Sequence, residues 1–379
     1  MTTRRIPVVV LAGFLGSGKT TLLNHLLRTS GGTRIGAVVN DFGSIEIDAM
    51  TVAGQVDSMV SLGDGCLCCA VDTEDLDEVL DVLARPSTRM DVIVVEASGL
   101  AEPETVIRMI LASRNPHIVY GGLVEVVDAA EHRATRERHP ELDRHLRAAD
   151  LVVLNKTDRA GVHELEELAE RLRRLSPAAP VVRAAHGRID PELLFDRVER
   201  ERPAVEQLSF DMLLREGPHG SEDDDGCGHV HSGYDSVEFT SRDPLEPGRL
   251  LEFLDQRPVG IYRIKGFVDF GAVDPVHRYA VHAVGRFLRF TPVGRASAGA
   301  PGTQLVLIGS GVDGDALRAG LSACVTHGGG TTTADRHALW GILRYVDDSA
   351  AGEPEQPGVG DADGADEWDG LDEDELARP

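Results

Sequence analysis

Residues 13–20 read GFLGSGKT and follow directly on the apolar stretch at residues 6–12. The pattern G-x-x-x-x-G-K-[ST] between a strand and a helix is typical of a P-loop. Glycines let backbone N–H groups surround phosphate oxygens, and the helix that follows adds the positive end of its dipole. Lys19 is expected to reach the β- and γ-phosphates as a catalytic residue, and the Thr20 hydroxyl to bind Mg²⁺. The predicted nucleotide-binding residues of this stretch are Gly13, Gly16, Ser17, Gly18, Lys19, Thr20 and Thr21.

Short valine-rich runs alternate with helical patterns over the first 200 residues. This alternation predicts an α/β fold of the P-loop nucleoside-triphosphatase type, with a doubly wound, mostly parallel sheet. The expected strands are residues 7–11, 35–39, 92–95, 123–127, 151–154 and 181–183, and the clearest helices are residues 19–27, 76–83 and 164–175.

The chain is expected to divide into four segments. Residues 1–200 form the α/β domain, and residues 201–234 form an acidic, histidine-containing linker rich in glycine and proline. Residues 235–346 form a smaller α+β domain in which strands predominate. Residues 347–379 hold thirteen acidic residues and one basic residue, so this acidic tail is expected to be disordered.

The overall charge excludes several classes of protein. The chain holds 63 acidic and 38 basic residues, a net charge of −25. Such acidity argues against binding to nucleic acid or to an anionic membrane, both of which need a basic face. No apolar run is long enough to span a bilayer, so a cytoplasmic location is expected. Five cysteines, three of them clustered, indicate metal or redox chemistry and not a disulfide framework.

Residues 155–158 read NKTD and follow the apolar stretch at residues 151–154. The Asp158 carboxylate can accept hydrogen bonds from N1–H and the exocyclic amino group of guanine, a pair of donors that adenine lacks. Asn155 would help to position the base, and the stem of Lys156 could stack along it. After a P-loop, the motif predicts GTP as the nucleotide. A polar turn between a strand and a helix is the alternative.

Two further segments occupy the positions of switch loops. Glu96 ends an apolar strand and Gly99 follows it, which is where P-loop proteins hold Mg²⁺ and sense the γ-phosphate. Glu96 is therefore a candidate Mg²⁺ ligand and, with Lys19, a catalytic residue. Asp41, which follows the second strand, is a candidate ligand for Mg²⁺ or a transition metal. No glutamine stands in a water-positioning place, so no catalytic base is assigned.

Residues 65–69 read GCLCC. Thiolates are soft ligands that suit Zn²⁺, Cu(I) or Co²⁺-like ions. Three thiols are one fewer than a structural zinc site needs, which indicates an open site completed by Asp41, Glu46 or a histidine. A buried apolar cluster and a Cys66/Cys69 redox pair are the alternatives. The candidate transition-metal ligands are Cys66, Cys68 and Cys69, and Cys227, His229 and His231 of the linker are auxiliary candidates beside the alternative of a solvated loop.

The order of these motifs resembles the CobW family of P-loop GTPase metallochaperones. The resemblance rests on GFLGSGKTTLLN, NDFG, GCLCC, EASGLAEP at residues 96–103, and NKTD. RIKGF at residues 263–267 and LIG at residues 307–309 resemble the C-terminal domain of the family, so the likeness covers roughly residues 6–325. Asp41 stands where many members have glutamate, and the histidine tract of the linker is sparse.

The resemblance implies a GTPase that couples its cycle to metal binding. In the family the cysteine motif binds a transition metal, commonly Zn²⁺, and the cofactors implied are GTP, Mg²⁺ and Zn²⁺ or Co²⁺. The metal would pass to a client metalloprotein docked on the second domain. A GTP-dependent assembly factor that does not carry the metal, a passive zinc buffer, and a cobalt chaperone serving cobalamin synthesis are the alternatives.

Overall fold

The first sheet is built from runs of valine, isoleucine and leucine, which favour extended backbone and pack well on a pleated surface. The computed structural model describes residues 5–39, 58–61, 73–98, 102–196, 234–295, 301–326 and 339–346. The strands of this sheet are β1 (Ile6–Ala12), β2 (Ile35–Val39), β3 (Ser58–Ser61), β4 (Val92–Glu96), β5 (Ile118–Asp128), β6 (Leu151–Asn155) and β7 (Val181–Arg183). In the described ranges their order is β3-β2-β4-β1-β5-β6-β7, and every neighbouring pair is parallel.

Helices cover both faces of this sheet. They are α1 (Lys19–Arg28), α2 (Thr73–Leu83), α3 (Pro103–Ala112), α4 (His132–Arg138), α5 (Leu142–Ala148) and α6 (Val162–Leu175). Val9 and Leu11 of β1 pack in one core with the leucines of α1, whereas Val8 and Val10 pack in a second core with α2 and α3. Since side chains on both faces of its central strands are buried, these strands are mainly apolar.

The second domain is an antiparallel sheet with helices packed against one face. Its elements are β8 (Asp235–Ser241), α7 (Pro247–Asp255), β9 (Ile261–Val268), β10 (His277–Val284), β11 (Phe287–Gly294), β12 (Thr303–Gly309), α8 (Gly314–Ala323) and α9 (Trp340–Leu343). The strand order is β11-β10-β9-β12-β8. Alternate residues of the strands, such as Ile264 and Leu307, share a core with Leu250 of α7 and Leu321 of α8.

The opposite face of the second sheet packs against the first domain. Tyr262 and Val284 are fully buried in the same core as α1 and β1. The Tyr262 hydroxyl donates a hydrogen bond to the carbonyl oxygen of Gly121 at 3.3 Å. At Gly122 (φ +109°) a Cβ would lie 2.8 Å from that hydroxyl, so a glycine is required where β5 meets the second domain. The interface therefore lies against the first half of β5, whose last residues border the P-loop.

The predicted parallel sheet and the smaller α+β domain are confirmed. The structure adds a strand, β3, and begins β5 at Ile118, five residues before the expected start. The pairing of β1 with β5 shifts register between Val8 and Val9, where Gly121 and Gly122 interrupt the apolar pattern. The predicted linker and the acidic tail lie outside the described residues, except for Tyr234. No described helix is both long and apolar enough to cross a membrane.

Candidate functional site

The P-loop has a backbone shape that favours glycine at three positions. Gly13, Gly16 and Gly18 have φ of +142°, +77° and +103°. A Cβ at Gly13 would lie 2.3 Å from the carbonyl oxygen of Val126, and one at Gly18 would lie 2.3 Å from Nδ2 of Asn155. Both distances are far below van der Waals contact. The loop therefore packs directly on β5 and on the end of β6, and larger residues do not fit at these two positions.

The N-terminus of α1 is arranged to receive an anion. The helix begins at Lys19, within the P-loop motif, and its first turn contains no acidic residue. The first N–H groups of a helix have no acceptor within it, and the helix dipole is positive at this end. The Ser17 hydroxyl is buried and has no hydrogen-bond partner among the described residues. Unfilled donors beside a positive dipole fit a phosphate group.

The ammonium group of Lys19 lies within this loop. Only 7% of Lys19 is exposed, and its Nζ donates a hydrogen bond to the carbonyl oxygen of Gly13 at 3.0 Å. The bond spans the loop from its seventh residue to its first. It holds a desolvated positive charge at the helix N-terminus, which favours a polyanionic ligand over a neutral one.

Thr20 and Glu96 meet beside the loop. The Thr20 hydroxyl donates to Oε1 of Glu96 at 2.8 Å, and Glu96 is 3% exposed at the end of β4. Because Glu96 pairs with Leu11 of the neighbouring strand β1, sheet register brings the carboxylate to the start of the P-loop. Hydroxyl and carboxylate oxygens are the ligands that Mg²⁺ prefers, so this pair fits that ion.

Asn155 connects two separate loops. Its Nδ2 donates to the carbonyl oxygen of Ser17 at 2.9 Å, and its Oδ1 accepts from the backbone N–H of Gly187 at 2.9 Å. Gly187 (φ +69°) packs on the backbone of Thr21, whose own side chain is exposed. The side chain of Asn155 thus fixes the P-loop relative to the loop that follows β7.

Lys156 lies over the P-loop in a left-handed backbone conformation, with φ +58°. Its Nζ donates to the carbonyl oxygen of Gly16 at 2.6 Å and to Oδ2 of Asp128 at 2.7 Å. These two contacts hold the Lys156 ammonium group against the P-loop. Asp128 was missed by sequence reasoning, although an acidic residue directly after an apolar strand is a recognisable signal.

Asp158 is exposed in the 3-10 turn Thr157–Arg159. Its Oδ2 lies 3.8 Å from Nε2 of His186, a residue with φ +53°. The hydroxyl and N–H of Thr157 both donate to the carbonyl oxygen of Ala184, at 2.9 and 3.1 Å. The structure therefore brings residues 184–187 to the NKTD motif. Sequence reasoning missed this loop, whose one signal is the His-Gly pair after a strand.

A half-open cavity of about 270 Å³ borders the P-loop and is lined by Phe14 and Leu15, by the end of β5 and by Lys156. Glu125 lines it, is 3% exposed, and has an Oε2 without a hydrogen-bond partner among the described residues. Burial raises the pKa of Glu125 to about 8, and the nearby Lys19 ammonium opposes this rise. Burial also lowers the pKa of His132 on the same cavity. At neutral pH both groups are therefore mainly uncharged.

The remaining predicted site residues lie outside the described part of the chain. Among the described residues, no three His, Cys, Asp or Glu side chains are grouped to hold a metal ion. Cys324 is described, and its buried thiol donates to the carbonyl oxygen of Gly320 within the second domain. The metal site therefore stays a prediction, because its candidates Asp41, Cys66, Cys68, Cys69, Cys227, His229 and His231 are not described. Gly99 of the predicted nucleotide site is not described either.

Comparison with family models matches both domains. Residues 7–183 match the CobW/HypB/UreG nucleotide-binding domain, and residues 234–325 match the cobalamin synthesis protein cobW C-terminal domain. The two matches follow the two sheets described above.

Three curated relatives are similar to this chain. "Zinc chaperone CobW" of Sinorhizobium sp is 30% identical over 364 residues, which cover 86% of this chain and all of that protein. "Zinc chaperone YjiA" of Escherichia coli is 34% identical over 50% of this chain and 61% of its own length. "Zinc-regulated GTPase metalloprotein activator 1" of Dictyostelium discoideum is 26% identical over 69% of this chain and 62% of its own length. On the full-length match and the two domain matches together, the chain belongs to the CobW family.

Proposed function

We propose that this protein binds and hydrolyses GTP with Mg²⁺, and that its GTP cycle is coupled to the binding of Zn²⁺ and its delivery to a client metalloprotein in the cytoplasm. The nucleotide half of the proposal is supported by the P-loop, the buried Lys19 and the contact of Asn155 with the loop. The zinc half is supported by the GCLCC motif and by the names of the relatives.

Each nucleotide-site residue has a distinct part in the proposal. The N–H groups at the start of α1, the Ser17 hydroxyl and Lys19 bind the phosphates. Asp158 accepts hydrogen bonds from the guanine edge, while the stem of Lys156 packs along the base. Thr20 and Glu96 would hold Mg²⁺, which neutralises phosphate charge and favours attack by water. Lys19 stabilises the charge that develops on the transferred phosphoryl group.

The observation that carries the coupling is the register of three strands. Val39 of β2 pairs with Ser61 of β3 on one side and with Glu96 of β4 on the other. The strands are parallel and their last residues are aligned. The segments that follow them therefore leave the sheet at its C-terminal end, where the P-loop also lies. Asp41 comes two residues after β2, and the cysteines of the GCLCC motif come five to eight residues after β3.

The position of these segments at the same end of the sheet gives a physical basis for linkage between GTP binding and metal binding. If the γ-phosphate and Mg²⁺ favour one arrangement of the segments after β2 and β4, the thiolates after β3 experience the same change. Metal and GTP that stabilise one state tighten the binding of each other by an equal factor. Hydrolysis then lowers the affinity for Zn²⁺, and the ion passes to a client bound on the second domain.

The test is the affinity for Zn²⁺, measured by competition with a chelating dye in the presence of a non-hydrolysable GTP analogue or of GDP. We expect at least tenfold tighter binding with the GTP analogue, a coupling of about 1.4 kcal/mol. The triple variant Cys66→Ser/Cys68→Ser/Cys69→Ser should lose this site, and Cys324→Ser, which alters a buried thiol of the second domain, should keep it. Equal affinities in the two nucleotide states would overturn the coupling. A triple variant that still activated a client would instead favour an assembly factor that carries no metal.

A further inference from the structure

A groove of about 520 Å³ lies where the two domains meet. Its apolar lining includes Ile118 and Val119 of β5 and Phe287 and Leu288 of β11. The Phe287 ring also packs edge-on against Tyr120, with ring centroids 5.7 Å apart. Both domains therefore contribute to one apolar surface.

Four arginines line this groove: Arg5, Arg114, Arg289 and Arg344. No acidic residue is among the lining residues in the described part of the chain. Arg114 and Arg344 are exposed, and no ion pair of either is recorded between described residues. This set of guanidinium groups contrasts with the net charge of −25 of the whole chain. Planar guanidinium groups bind carboxylates through paired hydrogen bonds.

The described chain ends in this groove. The N–H of Phe290 in β11 donates to the carbonyl oxygen of Tyr345 at 2.9 Å, and Val346 forms an isolated parallel bridge with Phe290. Both Tyr345 and Val346 line the groove. The next 33 residues hold thirteen acids and one base, and they include Trp368 and Leu371 within the sequence DEWDGLDEDEL. The most acidic segment of the chain thus starts at its arginine-lined groove.

We propose that residues 347–379 bind in this groove of their own chain. Acidic side chains pair with the arginines, and Trp368 packs on the apolar lining. Attachment at Val346 gives the segment an effective concentration on the order of millimolar, so weak individual ion pairs suffice for occupancy. Because the groove is formed by both domains, the bound segment contacts both of them and excludes other acidic chains.

The test uses the intrinsic fluorescence of Trp368. The chain has two tryptophans, and Trp340→Phe leaves Trp368 as the single emitter in the full-length protein. Acrylamide quenching is measured at 20 mM and at 500 mM NaCl, since the screening length falls to roughly 4 Å at the higher salt. We expect Trp368 to be quenched at least twofold less efficiently at low salt, with a shift of emission to shorter wavelength.

Two paired substitutions locate the binding site. Arg114→Ser/Arg344→Ser in the groove should remove the protection of Trp368. Arg133→Ser/Arg174→Ser changes the net charge equally at two exposed helix positions and should leave the protection intact. Trp368 that is equally accessible in all variants and at both salt concentrations would overturn the proposal. Protection that depends on protein concentration would also overturn it, because the segment would then bind a second copy.

Discussion

The side-chain amide of Asn155 donates a hydrogen bond to the carbonyl oxygen of Ser17, at 2.9 Å between the heavy atoms and with Asn155 only 1% exposed. The same side chain accepts the N–H of Gly187. One buried amide therefore sets the distance between the loop proposed to bind phosphate and the loop beside the proposed base site. A buried amide with both ends paired is costly to disturb, because each broken bond leaves a desolvated group without a partner.

Asn155→Ala should weaken the binding of both GTP and GDP by roughly 10- to 100-fold, the effect of about 1–3 kcal/mol for a buried hydrogen-bonded group. Asn155→Asp keeps an acceptor for Gly187 and loses the donor to Ser17, so its effect measures the contact with the P-loop. Titration with a fluorescent GDP analogue provides the affinities. Asn115→Ala is the control, since Asn115 bonds to Asp81 away from the site. If Asn155→Ala bound GDP as tightly as the unaltered protein, the amide would not be what holds the loop.

Asp158→Asn should change the preference of the site from guanine to xanthine nucleotides. In the proposed site the carboxylate of Asp158 accepts from two donors on guanine, whereas xanthine carries a carbonyl at the position of the amino group and needs a donor there. Competition of GDP and XDP for the site should reverse in order, by tenfold or more in each direction. Asp315→Asn, on the exposed surface of α8, should leave the order unchanged. An unchanged preference in Asp158→Asn would mean that the base lies elsewhere.

The parts of the site that are local in sequence were predictable, and those made by distant segments were not. The motifs GFLGSGKT and NKTD each identify candidate residues within a few positions of sequence. The structure shows Lys19, Thr20, Asn155 and Lys156 in or beside the P-loop. The loop at residues 184–187 is brought to NKTD by the pairing of β6 with β7, and no local pattern reports that contact. Its His186 and Gly187 were therefore missed.

The same limit applies to the fold. The sheet follows from alternating valine-rich runs and helical patterns, because both of its faces are buried. The early start of β5 was missed because Gly121 and Gly122 lower strand propensity. At Gly122 the reason is a close contact with Tyr262, which lies about 140 residues further along the chain. A Cβ at Gly121 would lie 3.0 Å from the backbone of Val8 in β1. From the sequence alone, a glycine required by contact with a distant side chain cannot be distinguished from a glycine in a turn.

Glu125→Gln should stabilise the protein in a pH-dependent way. The pKa of Glu125 is about 8 in the folded protein, against 4.5 for an ordinary glutamate, mainly because of burial. Between these values the folded state holds a proton that the unfolded state has lost, so stability falls as the pH rises through this window. A glutamine side chain does not ionise, so the substitution removes the free-energy cost of keeping a buried carboxyl group protonated above pH 4.5. The gain in free energy of unfolding should be about 1 kcal/mol or less at pH 5 and roughly 4 kcal/mol at pH 8.

Urea unfolding at a series of pH values measures this difference. Glu137→Gln, which alters an exposed carboxylate paired with Arg133, should give a difference near zero at every pH. A gain for Glu125→Gln that did not grow with pH would show that the carboxyl group is ionised and compensated in the folded protein.

Gly285→Ala should destabilise the contact between the two domains. Gly285 has φ +51°, and a Cβ there would lie 1.6 Å from Oδ1 of Asp150. The carboxylate of Asp150 accepts from the Tyr120 hydroxyl at 2.6 Å and from the N–H of Leu123 at 2.9 Å. A methyl group therefore displaces the carboxylate and breaks bonds that hold β5, with an expected loss of about 2–4 kcal/mol in the free energy of unfolding.

Gly294→Ala is the matched control for this change. A Cβ at Gly294 meets no atom within 4 Å, and its backbone is not in the left-handed region, so the substitution should alter stability by no more than about 0.5 kcal/mol. Gly285→Ala should also cost less in an Asp150→Ala background, because the carboxylate bonds and the 1.6 Å contact with Oδ1 are then absent and only the 2.8 Å contact with the Cβ of residue 150 remains. Denaturant unfolding of the four proteins in this cycle gives the coupling between Gly285 and Asp150. Equal costs in both backgrounds would place the strain in the backbone of Gly285 and not in its contact with the carboxylate.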